Sequence, residues 1–169
     1  MTANPNLSFI ACQPRSGSTM LQRILGAHSA VHTVSEPWLM LHPLYALREE
    51  GIQAEYGAGL AQKALESVFD ELPNGRQDYI GGIRDMYQML YAKLLEPTSA
   101  SLFLDKTPRY YLILSEMKEV FPEAKYILLV RHPLSVLTSI LRTWIKGNWL
   151  GISKSRKDLL EAPLRIKEN

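Results

Sequence analysis

Apolar residues occur along this chain either in short dense runs or at helical spacing, and the two patterns alternate. Residues 7–12 (LSFIAC) form an almost unbroken apolar run that ends in a Gln-Pro-Arg-Ser-Gly turn, the pattern of a buried parallel strand feeding a loop. A helix over residues 18–27 follows, with apolar Met20, Leu21, Ile24 and Leu25. Residues 31–35 read as a weaker second strand before Glu36-Pro37, where the proline disfavours helical geometry at Glu36. The middle is helical over residues 38–48, 60–69 and 79–95, the last with Ile80, Ile83, Tyr87, Leu90, Tyr91 and Leu94 on one core-facing side. Residues 102–105 read as a third strand; Thr107-Pro108 then supplies an N-cap and a first-turn proline for a helix ending near Phe121-Pro122. Residues 125–130 (KYILLV) are the clearest strand, followed by a helix over residues 133–146. Strands alternating with helices predict an α/β fold, a three-layer parallel sheet with a P-loop-like strand-loop-helix nucleotide site. Ligands of such sheets sit beyond the carboxyl ends of the strands, which singles out residues 13–19, Glu36, 105–107 and 131–133.

The 169 residues, 46% hydrophobic and 21% charged, are read as one domain, large enough for a core without metals or cross-links. One cysteine, Cys12, excludes an internal disulfide and reads as a small buried strand residue. No basic leader with a long apolar stretch opens the chain and no run spans a bilayer, so a soluble cytoplasmic protein without membrane contact is the expectation. From Arg142 onward seven basic residues face three acids, while the rest carries 12 basic against 14 acidic. That asymmetry reads as a solvated helix face; no nucleic-acid module is present and aromatics do not interleave with the basic residues.

Candidate chemistry begins at the first turn. A strand, a glycine-containing bend and a helix opening with Ser18-Thr19 present backbone N–H groups and two hydroxyls at a helix N-terminus, which makes an anion site. It is not the nucleoside-triphosphate loop GxxxxGK(S/T): Cys12 stands where the first glycine belongs and Ser18 where the lysine belongs. A magnesium-dependent phosphotransferase commonly ends an apolar strand in a metal-holding aspartate, whereas KYILLV runs into Arg131, which binds anions directly. A tyrosine-phosphatase loop fails as well, since Ser18 occupies its arginine position relative to Cys12. The pattern implies a polyanion held with no metal required.

The segment PRSGST, residues 14–19, followed by Met20-Leu21, resembles the 5′-phosphosulfate loop of sulfotransferases that use 3′-phosphoadenosine 5′-phosphosulfate (PAPS). KYILLVRHPLSVLTSI resembles their 3′-phosphate motif, an apolar strand ending in Arg131 with Ser139 eight residues on. Loop arginine Arg15 places the likeness nearest the tyrosylprotein and carbohydrate branches. In the former, the catalytic glutamate lies 21 residues beyond that arginine, here Glu36, and a lysine precedes a helix-opening proline, here Lys106 and Pro108. The resemblance implies PAPS as donor, adenosine 3′,5′-bisphosphate as product and a hydroxyl-bearing acceptor. It assigns Arg15, Glu36 and Lys106 as catalytic, with Arg15, Ser16, Gly17, Ser18, Thr19, Arg131 and Ser139 binding the nucleotide. It also implies that the chain lacks the usual C-terminal part, whose basic loop closes over the nucleotide; no such loop is legible in residues 153–169.

Each residue also has a plainer reading. Glu36 could cap the next helix, Lys106 could pair with Asp105, and Ser139 alone is an ordinary helical serine. The four histidines read as exposed or satisfied, with His42 a spare base. Trp38, Trp144 and Trp149 read as packing. Three functions therefore stand side by side: a PAPS-dependent sulfotransferase, a non-catalytic nucleotide-binding remnant of one, and a divergent P-loop kinase. The acceptor class stays open among sugar, peptide tyrosine, lipid and polyketide hydroxyls, as does assembly into a homo-oligomer.

Overall fold

A computed structural model describes residues 5–147 and 149–169. Residues 1–4, which opened the stretch read above for a leader, lie outside the described residues. Four parallel strands, β1 (Asn6–Cys12), β2 (Val31–His32), β3 (Leu102–Lys106) and β4 (Lys125–Leu129), form one sheet in the order β2-β3-β1-β4. Register is set by Ile10 opposite Lys106 on one side of β1 and Cys12 opposite Leu129 on the other. All four strands therefore point their carboxyl ends at the same edge.

Alternation along the strands sorts the core into two layers. Leu7, Phe9, Phe103 and Tyr126 face a large cluster that includes Met40, Leu44, Ile80, Ile83, Tyr87, Tyr91 and Tyr110. Ile10, Cys12, Leu104, Ile127 and Leu129 face the other way, against Leu21 and Leu25 of α1 (Ser18–Gly26). The remaining helices are α2 (Leu41–Tyr45), α3 (Ala58–Glu71), α4 (Arg76–Leu95), α5 (Leu114–Val120), α6 (Pro133–Ile140) and α7 (Ala162–Glu168). Ile80, Ile83, Tyr87 and Tyr91 of α4 are buried as its periodicity predicts, while Leu90 lies at the exposed margin. Gly26 closes α1 where a Cβ would come within 2.9 Å of Thr33 Cγ2, so a side chain there would push α1 off the β2 segment.

Several predicted helices are shorter or split, for visible reasons. The helix expected over residues 38–48 shrinks to α2 because Trp38 has φ 57° and its N–H is held at 3.1 Å by Thr107 Oγ1. The helix expected from Pro108 to Phe121 breaks at Ile113 (φ −129°) into a 3-10 turn, Pro108–Leu112, and α5. Adjacent tyrosines of that turn are pulled to different anchors, Tyr110 to Asp105 and Tyr111 to Asp158. The helix after β4 continues past Ile140 as a π-helical turn, Leu141–Ile145, and stops where Lys146 and Gly147 turn left-handed. The C-terminal segment adds a 3-10 helix (Trp149–Ser155), a π-helical turn (Lys157–Glu161) and α7.

Two features hold β1 and β3 to the larger layer. Phe9 is fully buried between Tyr91 and Tyr110, which meet it edge-on, and Phe121 and Tyr126. Asp105, also buried, accepts hydrogen bonds on Oδ2 from the hydroxyls of Tyr91 at 2.6 Å and Tyr110 at 2.8 Å, while Oδ1 is unpartnered. Burial pushes its pKa up to about 6, against the lowering pull of the two hydroxyls and the Lys106 charge. A carboxyl raised in the folded state contributes most below its unfolded value, and that contribution fades as pH climbs through the folded one. Asp105→Asn should thus gain on the parent as pH rises from about 4 to about 6, by on the order of 2–3 kcal/mol, and hold level above, as read by urea unfolding at each pH. Phe9→Ala should cost roughly 3–5 kcal/mol in the same assay, because four aromatic neighbours cannot close the gap it leaves.

Candidate active site

Where β1 ends, the chain bends through residues 13–17 and enters α1. Gly17 has φ 99°, which a side chain would strain, and the Ser16 N–H closes the bend on the Gln13 carbonyl at 3.2 Å. The earliest bonds of α1 run from the N–H groups of Met20 and Leu21 to Gly17 O, so the N–H groups of Gly17, Ser18 and Thr19 are left pointing out of the helix start. Ser16 Oγ is buried with no hydrogen-bond partner, its polar company being the thiol of Cys12, whose pKa burial pushes up. An unsatisfied buried hydroxyl beside three outward N–H groups fits an anionic group such as a phosphate or sulfate ester, the moiety that a PAPS donor presents.

One cleft of about 440 Å³ is lined by Arg15, Gly17, Ser18, Thr19, Glu36, Arg131 and Ser139, together with Trp38, Arg109 and Trp144. The two segments predicted to bind opposite ends of a nucleotide touch each other: Arg15 Nε donates to Ser139 Oγ at 3.0 Å, and Arg131 Nη1 to the Arg15 carbonyl at 3.3 Å. Lys106 rises from the end of β3 with its side chain 1% exposed, and its Nζ donates to Glu36 Oε1 at 2.6 Å and Thr19 Oγ1 at 3.4 Å. Every sequence-predicted site residue therefore lies at this one edge of the sheet, with Ser16 beneath the bend.

Several expectations are corrected. Asp105, placed among the ligand-facing residues, turns into the core, and Lys106 pairs with Glu36 rather than with it. The alternation of β3 forces this, since neighbouring residues of a strand point to opposite faces. Trp38 and Trp144, read as packing, stand 42% and 45% exposed on the cleft wall, and Trp149 is exposed too. His132, at the end of β4 beside Arg131, is exposed and does not line the cleft, nor does His42.

The segment that leads to Glu36 is held by residues that the sequence did not single out. Gln22, buried on α1, donates from Nε2 to Thr33 Oγ1 at 2.7 Å and to the Val34 carbonyl at 2.8 Å, and Thr33 Oγ1 donates to Leu104 O at 2.6 Å. Nothing local in the sequence marked Gln22, because its burial and its partners are set by the tertiary structure. Arg15, Glu36 and Trp38 have φ of 69°, 23° and 57°, left-handed values that cost of order 1–3 kcal/mol each and persist where surrounding contacts fix them. Among the described residues, no group of three or more His, Cys, Asp or Glu side chains could hold a metal ion, and no helix is long and apolar enough to cross a membrane.

The chain is similar to known proteins. A curated relative, nodulation protein NoeE of Sinorhizobium fredii (strain NBRC 101917 / NGR234), is 34% identical over 140 residues, covering 83% of this chain and 32% of the relative. The sulfotransferase domain from the curacin biosynthetic pathway superposes with a TM-score of 0.55 at 27% identity, covering 97% of this chain and 62% of that domain. The sulfotransferase domain from the Synechococcus PCC 7002 olefin synthase gives 0.53 at 31% identity, over 96% and 60%. The chain thus spans about a third of the curated relative and about three fifths of the two solved domains. The sulfotransferase family model matches residues 8–164, from within β1 to within α7, and so takes in every cleft residue described above: the chain belongs to the sulfotransferase family.

Proposed function

We propose that the cleft binds PAPS and passes its sulfuryl group to a hydroxyl acceptor. The observation that carries this reading is the meeting of two anion-binding groups in one cleft, Arg15 with the bend on one side and Arg131 with Ser139 on the other. Such a pair suits a nucleotide anionic at both its 5′ and 3′ positions.

In this reading the N–H groups of Gly17, Ser18 and Thr19 and the hydroxyls of Ser16, Ser18 and Thr19 hold the 5′-phosphate, and Arg15 reaches the phosphosulfate and the leaving oxygen. Arg131 and Ser139 hold the 3′-phosphate, with the planar guanidinium offering paired donors. The donor supplies an activated sulfuryl group. Glu36, on the acceptor side, removes the proton of the attacking hydroxyl, and Lys106 donates to the charge that builds on the sulfuryl oxygens. The Lys106–Glu36 pair at 2.6 Å keeps the two groups within reach of the same reacting atoms. Trp38 and Trp144 offer aromatic faces to the body of the acceptor.

Calorimetric titration should find adenosine 3′,5′-bisphosphate bound more tightly than AMP, to the same extent with and without magnesium. Arg131→Ala should weaken the bisphosphate roughly 10- to 100-fold and leave AMP nearly unchanged; equal weakening of both would contradict the 3′ assignment. Glu36→Gln should retain bisphosphate affinity while transfer from radiolabelled PAPS to a panel of sugar, phenol and aliphatic alcohols falls about 100-fold or more. Tight binding without transfer to any acceptor, indifferent to Glu36, would instead mark a nucleotide-binding remnant.

A further inference from the structure

The C-terminal segment is tied to the cleft at two points. Gln13, buried just ahead of the bend, donates from Nε2 to the backbone carbonyl of Asp158 at 2.7 Å and to that of Leu159 at 3.5 Å. Its own carbonyl receives the Ser16 N–H, so the residue that closes the bend is also the one fastened to the C-terminal segment. The Asp158 carboxylate, itself buried, accepts from Arg109 Nη2 at 2.8 Å and from the Tyr111 hydroxyl at 2.8 Å. Arg109 lines the cleft from the turn that follows Lys106.

Docking this segment did not need those polar groups. Ala162 and Ile166 already pack on Tyr111, and apolar side chains would serve stability at least as well as a buried carboxylate, whose desolvation offsets most of what an ion pair gains. What hydrogen bonds add is direction: they fix one register between the segment and the two strand ends that carry the anion bend and Lys106.

We infer that the π-helical turn Lys157–Glu161 is a strap that positions the site, with Gln13 and Asp158 as its positioning residues. Gln13 sets the bend, and Asp158 holds Arg109 on the cleft wall. The inference rests on the reading of residues 14–19 as the anion site.

The test uses the full chain and compares Gln13→Leu and Asp158→Asn with Ile166→Val, which trims the apolar contact of the same segment. Three quantities are read: Tm, the amide resonances of residues 17–19 and the Arg109 Nε–H resonance in the unliganded protein, and affinity for adenosine 3′,5′-bisphosphate. Gln13→Leu should move the bend amides and weaken the bisphosphate roughly tenfold, the size that one lost buried hydrogen bond allows. Asp158→Asn, which preserves shape and the carbonyl that Gln13 uses, should displace the Arg109 resonance and weaken binding severalfold. Ile166→Val should lower Tm and leave both sets of resonances and the affinity in place. Polar variants that lower Tm with no more effect on resonances or affinity than Ile166→Val would overturn the strap. Should the parent protein not bind the bisphosphate, the nucleotide reading falls, and the resonance comparison still decides the strap on its own.

Discussion

The pairing of β1 with β4 is the constraint from which the cleft follows. Cys12 lies opposite Leu129 in a parallel ladder, so the chain leaves both strands at the same edge, one strand spacing apart. The bend with Arg15 and the turn with Arg131 are more than a hundred residues apart in sequence, yet they start from neighbouring strand ends and touch. On the other flank of β1, Ile10 opposite Lys106 brings the lysine to the same edge. Moving β4 elsewhere in the sheet would leave every motif intact and no cleft between them.

Given that edge, the site is assembled by hydrogen bonds between distant segments and one ion pair. Arg15 is bonded to Ser139, Arg131 to the backbone of Arg15, and Lys106 to Glu36 and Thr19. Lys106 is almost wholly out of water and is stable there because a carboxylate and a hydroxyl replace its hydration. The backbone is held there as well: left-handed Arg15 and Trp38 are bonded through their main chain to Arg131 and Thr107, and Glu36, also left-handed, pairs with Lys106. At the carboxyl edge, left-handed backbone and the Lys106–Glu36 pair are thus divided from the aromatic core beneath. Asp105 and Lys106 show how sharply that division is drawn: adjacent in sequence, one is sunk among tyrosines and the other faces the cleft.

Much of this was legible in the sequence because its signals are local. A dense apolar run before a glycine-containing bend and a helix start is written within about fifteen residues, and so are the Lys106–Pro108 turn and the apolar strand ending in Arg131. Helix limits were less legible where a distant hydrogen bond overrides periodicity, as Thr107 does at Trp38 and Asp158 does at Tyr111. Exposure of the tryptophans was not legible at all, since an indole on a cleft wall and one in a core share the same neighbours in sequence.

By itself the sequence determined which residue types stand at the ends of which strands, because strand, bend and helix start are short-range consequences of apolar spacing, glycine and proline. Tertiary structure alone decided that Arg15 meets Ser139, that Lys106 chooses Glu36 over Asp105, and that Gln13 and Arg109 are fastened from residue 158. These contacts join segments from about 50 to 145 residues apart, and no local pattern encodes a partner that only strand order brings within hydrogen-bond reach.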